Sequence, residues 1–328
     1  MSLEEQARVR FGALALAALF SAALFTLAVA VPVLGLLLIM VAGLPLGVCL
    51  MQWGRRDALF ASALAIGALA LVVSPTASLV FCALSLTPAL LLADAQSRGL
   101  GFLTAALWAS AWLSSLAAVA LISSASELQE QAVAVPRYYQ GEEFLSQMRE
   151  EGVPPEQLET LTAQFAEMER AVKIVYPAAF LVLGWISALV CGSLLRAYIA
   201  RRGPAGMLGP GFEQLRFPLG LVVAFVLCAA ALVFPPVRPL AYNALVLVGF
   251  LFGLQGLAIV VYYAHRLQGP RLLRAAVVIM LVFLVPAGIY LVLLAGLFDT
   301  WFDFRRWAPR RPEQANEHEG EGQNGKRG

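Results

Sequence analysis

The chain has 328 residues, 60% of them hydrophobic and 13% charged, with a mean hydropathy of +0.77. Its apolar residues gather in long runs, which points to an integral membrane protein rather than a soluble domain. The net charge of +2 gives no reason to expect a nucleic-acid partner.

A hydrocarbon core of about 30 Å needs about 20 apolar residues in helix. On that ruler the candidate spans are 11–30, 33–52, 58–73, 77–94, 101–123, 174–199, 217–235, 240–264 and 272–298. The expected fold is all-α, a polytopic transmembrane bundle of eight or nine spans with one extramembrane helical hairpin. The opening MSLEEQARVRFGALALAALF places acids before its arginines and runs into a full-length span, so it reads as a retained first helix. Pro32, Pro75 and the pair Pro235-Pro236 mark tight turns between paired spans. The third and fourth spans are short enough for one to be tilted or re-entrant.

Four parts follow from this pattern. Residues 1–123 and 174–307 form two sets of transmembrane helices, 124–173 an acidic extramembrane hairpin, and 308–328 a polar tail without periodicity that reads as disordered. Residues 124–173 hold ten of the 21 acids against four basic residues. Within them Leu158, Leu161, Phe165, Met168 and Val172 recur at helical spacing after Pro154-Pro155, and Phe144, Leu145 and Met148 form a shorter face before it. The hairpin either caps the bundle or docks a partner helix.

Arginine placement orients the chain. Arg8, Arg10, Arg55, Arg56, Arg98, Arg196, Arg201, Arg202, Arg216, Arg266, Arg271 and Arg274 share one side if the N-terminus is cytoplasmic in a bacterial inner membrane. Nine passes place Arg305, Arg306, Arg310 and Arg311 outside; eight place them inside.

No H-E-x-x-H, G-x-S-x-G or Walker A loop is present, and His265 and His318 are far apart in sequence. Cys49, Cys82, Cys191 and Cys228 lie in separate runs without C-x-x-C spacing. Neither an enzyme, a cofactor nor a metal site is expected. The remaining polar groups are mild. In GFLFGLQGLAIVVYYAHRLQGPRLLR (249–274), Gly249, Gly253 and Gly256 form a small-residue face for close helix packing. Gln255 and Tyr262 lie on another face, bonded to a neighbouring span or lining a solute pocket. Trp108 and Trp112, at i and i+4, either pack or stack on a ligand.

The last apolar run closes with GLFDTWFDFRRW (296–307). Read as a continuous helix, it aligns Asp299, Asp303 and Arg306 on one face. Trp301 suits the interface, Arg305 and Arg306 can reach phosphates, and Asp303 can pair with Arg306. The stretch is an anchor or a docking contact.

The ending G-L-F-D-x-W-F-D-F-R-R at 296–306, the segment GLQGLAIVVYYAHR at 253–266, and the acidic insert before Tyr176-Pro177 together resemble the YybS-like family of predicted bacterial membrane proteins, a domain of unknown function. The resemblance runs from about residue 11 to 307. It implies a distant similarity to the solute-binding S components of energy-coupling-factor transporters, whose first helix docks through A-x-x-x-A on a transmembrane coupling subunit. Ala13/Ala17 and Ala18/Ala22 offer such pairs here. The expected partners are the lipid bilayer, a coupling subunit or other membrane protein, and a small solute. The competing reading is a non-transporting scaffold that docks partners.

Overall fold

The structure is a computed structural model that describes residues 3–202, 211–264, 266 and 288–307. The described residues are helical throughout, joined by short turns, with no strand among them. The chain folds as two compact units, Met1–Phe212 with Cys228–Leu247, and Glu213–Leu227 with Val248–Gly328.

In the first unit α1 (Leu3–Ala30) packs against α2 (Pro32–Ala42), α3 (Leu44–Trp53) and α4 (Arg55–Val72). The second apolar run is therefore interrupted at Gly43. Pro45 has no N–H to offer the preceding turn, and the helix breaks at Gly43. The fourth run comprises α5 (Pro75–Phe81), a π turn (Cys82–Leu86) and α6 (Thr87–Ser97). Pro88 removes another ladder donor, the widened turn absorbs the gap, and the Thr87 hydroxyl donates to the Cys82 carbonyl at 2.8 Å.

Helix α7 (Phe102–Ser123) leads into α8 (Ala125–Gln140) and α9 (Glu142–Glu150), and then α10 runs over Pro155–Arg202. Its 48 residues span about 72 Å, so one helix forms both the second hairpin arm and the sixth span. Its main partner in the hairpin is α8, which the sequence reading left unassigned. The pairing is antiparallel: Gln129 donates to the Lys173 carbonyl, Arg137 pairs with Glu169 at 3.0 Å, and Tyr139 stacks on Phe165. Val133 and Leu158 are buried, whereas Met168 is exposed despite its helical register.

Pro177 lies inside α10. The Asn243 carboxamide accepts from the Ala178 N–H at 2.8 Å and donates to the Ile174 carbonyl at 2.7 Å. An unbroken helix would bond those two groups to each other, so Asn243 completes the ladder where the proline disturbs it.

The unit's core is rich in alanine. Ala18, Ala22, Ala61, Ala65, Ala105, Ala109 and Ala188 are buried beside Phe25, Leu69, Phe81 and Leu195. Small side chains let helix backbones approach closely where the surrounding solvent is as apolar as the core. Exposed Leu16, Leu19 and Phe20 occupy the other face of α1. Cys49 and Cys191 are buried, while Cys82 and Cys228 are partly buried.

The ion pairs of the apolar helices gather at one end of this unit. Arg10 pairs with Asp57, Arg55 and Arg98 share Asp94, and Gln52 bonds Tyr198. The hairpin forms the other end.

In the second unit α11 (Gly220–Ala231) and α12 (Arg238–Ala264), each of which also contributes to the first, pack with α13 (Gly288–Phe302) around Val222, Val248 and Phe252. Helix α11 has 12 residues and rises about 18 Å, so it fills only part of the expected span 217–235. Of the expected span 272–298, residues 272–287 lie outside the described residues, as does His265. Five described helices are long and apolar enough to cross a membrane, joined by three shorter apolar ones.

Candidate functional site

A helix whose backbone lies against another needs glycine at the crossing, and α12 and α13 cross through two. A Cβ on Gly256 would collide with the Val292 carbonyl, and one on Gly296 with that of Phe252. Gly249 lies near Leu293, while a Cβ on Gly253 would have no described atom within 4 Å. The pair at the crossing is thus Gly256 with Gly296, and Gly296 is the first residue of GLFDTWFDFRRW.

That approach brings Gln255 to Asp299. Gln255 is 1% exposed; its Nε2 donates to Asp299 Oδ2 at 3.1 Å and its Oε1 accepts from the Phe217 N–H at 3.0 Å. Phe217 precedes Pro218 in a segment without helical bonding. The backbone there needs partners from elsewhere. Gln255 supplies one, and Arg305 Nη2 supplies another by donating to the Leu215 carbonyl at 2.8 Å. Both polar ends of Gln255 are therefore engaged within the protein.

The continuous helix expected over 296–307 ends at Phe302. Asp303 has φ +43°, a left-handed conformation that Asp tolerates better than most side chains, and a 3₁₀ turn follows over Phe304–Trp307. This reversal separates Asp299 from Asp303 and Arg306. Asp299 accepts the Phe304 N–H at 2.9 Å and lies 3.7 Å from Arg305 Nη2. A carboxylate in the last turn of a helix opposes the helix dipole, and here the cation and the capped N–H offset that. Asp303 pairs with Arg306 at 2.6 Å, as its spacing suggests, and also with both terminal nitrogens of Arg216 at 2.5 and 3.1 Å.

Arg305 does not reach outward to phosphates in the way expected for an interfacial arginine. It is 7% exposed, and its Nε and Nη1 are buried without an acceptor. A buried donor left unpaired costs about 1–3 kcal/mol. Desolvation lowers the pKa of its guanidinium, opposed mainly by the charge of Asp299. Tyr262 Oη donates to the Arg305 carbonyl at 3.4 Å and accepts from Arg266 at 2.6 Å, while Tyr263 donates to the Phe304 carbonyl at 2.6 Å. Glu213, Gln214, Arg216, Tyr262, Asp303, Arg305 and Arg306 together line a concavity of about 480 Å³. Trp301 lies outside this network and is exposed.

These contacts also set direction. Gln255 meets Asp299, Tyr263 meets Phe304 and Tyr262 meets Arg305, so α12 and α13 run parallel. Arg305 and Arg306 consequently lie at the same end of the unit as Arg216 and Arg266.

Trp108 and Trp112 belong to the first unit, and Gln255 and Tyr262 to the second. Trp108 is exposed; Trp112 donates its indole N–H to the Ala83 carbonyl of the π turn at 2.9 Å. Ala18 and Ala22 are buried in the first unit's own core. The first unit also holds an apolar cavity of about 290 Å³ lined by Ile39, Met40, Leu113, Leu116, Ala117 and Phe180, with Leu128 of α8 contributing at the hairpin end. None of the residues singled out from sequence lines it, because its walls are mostly ordinary apolar side chains. Arg216 and Gly296 were equally inconspicuous: the one read as a topogenic charge, the other as part of a terminal motif.

Among proteins with similar sequences, the uncharacterized protein YybS of Bacillus subtilis (strain 168) is 24% identical over 178 residues, covering 52% of this chain and 57% of that protein. The chain thus spans little more than half the length of that relative. No solved structure matches. The family described as predicted membrane protein (DUF2232) matches residues 19–300, and the chain belongs to that family of membrane proteins of unknown function.

Proposed function

We propose that this is a non-catalytic, multi-pass protein of the bacterial inner membrane that binds an apolar small solute, in the manner of a transporter's solute-binding S component. Its arginine-bearing end is cytoplasmic and the hairpin external. The observation that carries this reading is the cavity of about 290 Å³ in the first unit, close to the lower edge of ligand-pocket sizes. Its walls come from α2, α7 and α10, with Leu84 of the π turn and Leu128 of the hairpin. Ser187 is the hydroxyl among its lining side chains. Such walls suit a hydrocarbon body with at most one polar group.

The second reading, a scaffold that docks protein partners, draws on the internal use of Gln255 and on exposed Val135 and Tyr138 of the hairpin. Mass spectrometry of protein purified in mild detergent separates the two. A solute binder retains a stoichiometric small molecule that is lost when Ala117→Phe fills the cavity, and co-purifies with a coupling subunit and its ATPases. Retention unaffected by Ala117→Phe, or a cavity holding only detergent, refutes the solute reading.

A further inference from the structure

We infer that the molecule held in the first unit's cavity is a lipid of the bilayer, lodged by one hydrocarbon chain that enters laterally from the membrane; this rests on the solute-binding reading and supplies its ligand class. The two long walls are helical stripes. Leu113, Leu116, Ala117 and Ala120 recur at i, i+3, i+4 and i+7 on α7, and Phe180, Leu183, Gly184 and Ser187 repeat that spacing on α10. Each stripe rises about 10 Å along its helix, so the cavity is a slot that runs with the spans, as lipid chains do. Its volume of about 290 Å³ is small for a ligand pocket, which favours one chain over a two-chain body. The slot also has little to offer a polar solute. No charged side chain lines it, and the Ile39 and Met40 carbonyls beside the break at Gly43 are taken by the Ser85 hydroxyl and the Cys191 thiol.

Depth decides what meets the open side of the slot. Leu84 of the π turn and Leu183 both line it and are each 37% exposed. Leu183 follows Lys173, the last charge before the span, by about 15 Å along α10, near the middle of a hydrocarbon core of about 30 Å. Its face of α10 continues into exposed Val190 and Leu194, at i+7 and i+11. Surface at that depth faces lipid tails rather than water. The hairpin end differs, because Leu128 of α8 lines it and α8 is fastened across to α10. Gln129 donates to the Lys173 carbonyl and Tyr176 to the Ala125 carbonyl, both at 3.4 Å. The water-facing end is thus covered by the hairpin, while the side towards the lipid stays open.

The test uses the full chain in phosphatidylcholine vesicles that contain a trace of phosphatidylcholine with a diazirine near the middle of one acyl chain. After illumination, adducts are mapped by mass spectrometry. They are expected on Leu116, Phe180 and Ser187 at a level severalfold above that on Val190 and Leu194, because a lodged chain dwells longer than one exchanging along the outer surface. Ala117→Phe fills the slot and is expected to reduce its adducts severalfold while leaving those on Val190 and Leu194 unchanged. Ala120→Leu, which narrows the slot nearer the hairpin, serves if Ala117→Phe fails to assemble. Adducts no denser in the slot than on the outer face, or undiminished in the variant that assembles, overturn the proposal. The molecule retained through purification separates this from the solute-binding reading. A lipid lost in Ala117→Phe supports both; a retained solute that is not a lipid, with an unlabelled slot, overturns the lipid proposal alone; nothing retained and no slot adducts overturn both.

Discussion

Replacing Gln255 with Leu tests whether this residue locks the second unit or waits for a solute. Leu has similar bulk, so little cavity forms and the effect isolates hydrogen bonding. The substitution leaves the Phe217 N–H without its acceptor at 3.0 Å and removes one of the donors to Asp299. An unpaired buried N–H costs about 1–3 kcal/mol, and a hydrogen bond to a charged group contributes about 1.5–3 kcal/mol. In a bilayer or micelle the unfolded chain also finds partners, and measured contributions average only about 0.6 kcal/mol with a maximum near 1.7. The expected loss for the two bonds is therefore about 1–3 kcal/mol, without any ligand present. Equilibrium unfolding in mixed micelles with increasing denaturing detergent, read by tryptophan fluorescence, measures it. Asp299→Ala and the double variant complete a cycle, whose coupling is expected to exceed about 0.5 kcal/mol because the side chains touch. A loss below about 0.5 kcal/mol, or additive single effects, would refute the locking role.

Asn243→Ala should destabilise the first unit by about 2–3 kcal/mol, since the Ile174 carbonyl and Ala178 N–H both lose a partner. Adding Pro177→Ala should recover much of that, and no recovery in the same unfolding assay would count against the explanation. Gly296→Ala should cost about 1–3 kcal/mol by forcing α12 and α13 apart; wild-type stability would show that the crossing is looser than described. In the hairpin, hydrogen bonds from Lys173 and Arg137 hold the Glu169 carboxyl at about 2, well below its ordinary value of 4.5. A lowered carboxylate contributes stability fully above its unfolded pKa and loses it as pH falls through the folded one. Protection of α8 from proteolysis should therefore weaken between about pH 4.5 and 2, and Glu169→Gln should remove that dependence. An equal slope in the variant would assign it to other groups.

Much of the architecture was legible because hydropathy and punctuation are local signals. Where residues are described, the apolar runs correspond to helices, Pro75 and the pair Pro235-Pro236 stand at turns, and the arginines flanking the early runs cluster at one end of the first unit. Local signals misled where a single residue changes the ladder: Pro45 divides the second run, Pro88 widens the fourth, and Asp303 reverses the last helix. The length of α10 was hidden because a polar arm and an apolar span differ in composition but share one backbone helix.

By itself the sequence determined that this protein belongs in a membrane, where its main apolar runs fall and which ends carry charge, because these depend on transfer free energies summed over neighbouring residues. Tertiary structure alone decided what the polar side chains do. Gln255 finds Asp299 across 44 positions, and Arg216 finds Asp303 across 87. A polar group in an apolar surrounding is constrained to find a partner, but the partner is chosen by how helices pack, and here by two glycines that let α12 and α13 touch.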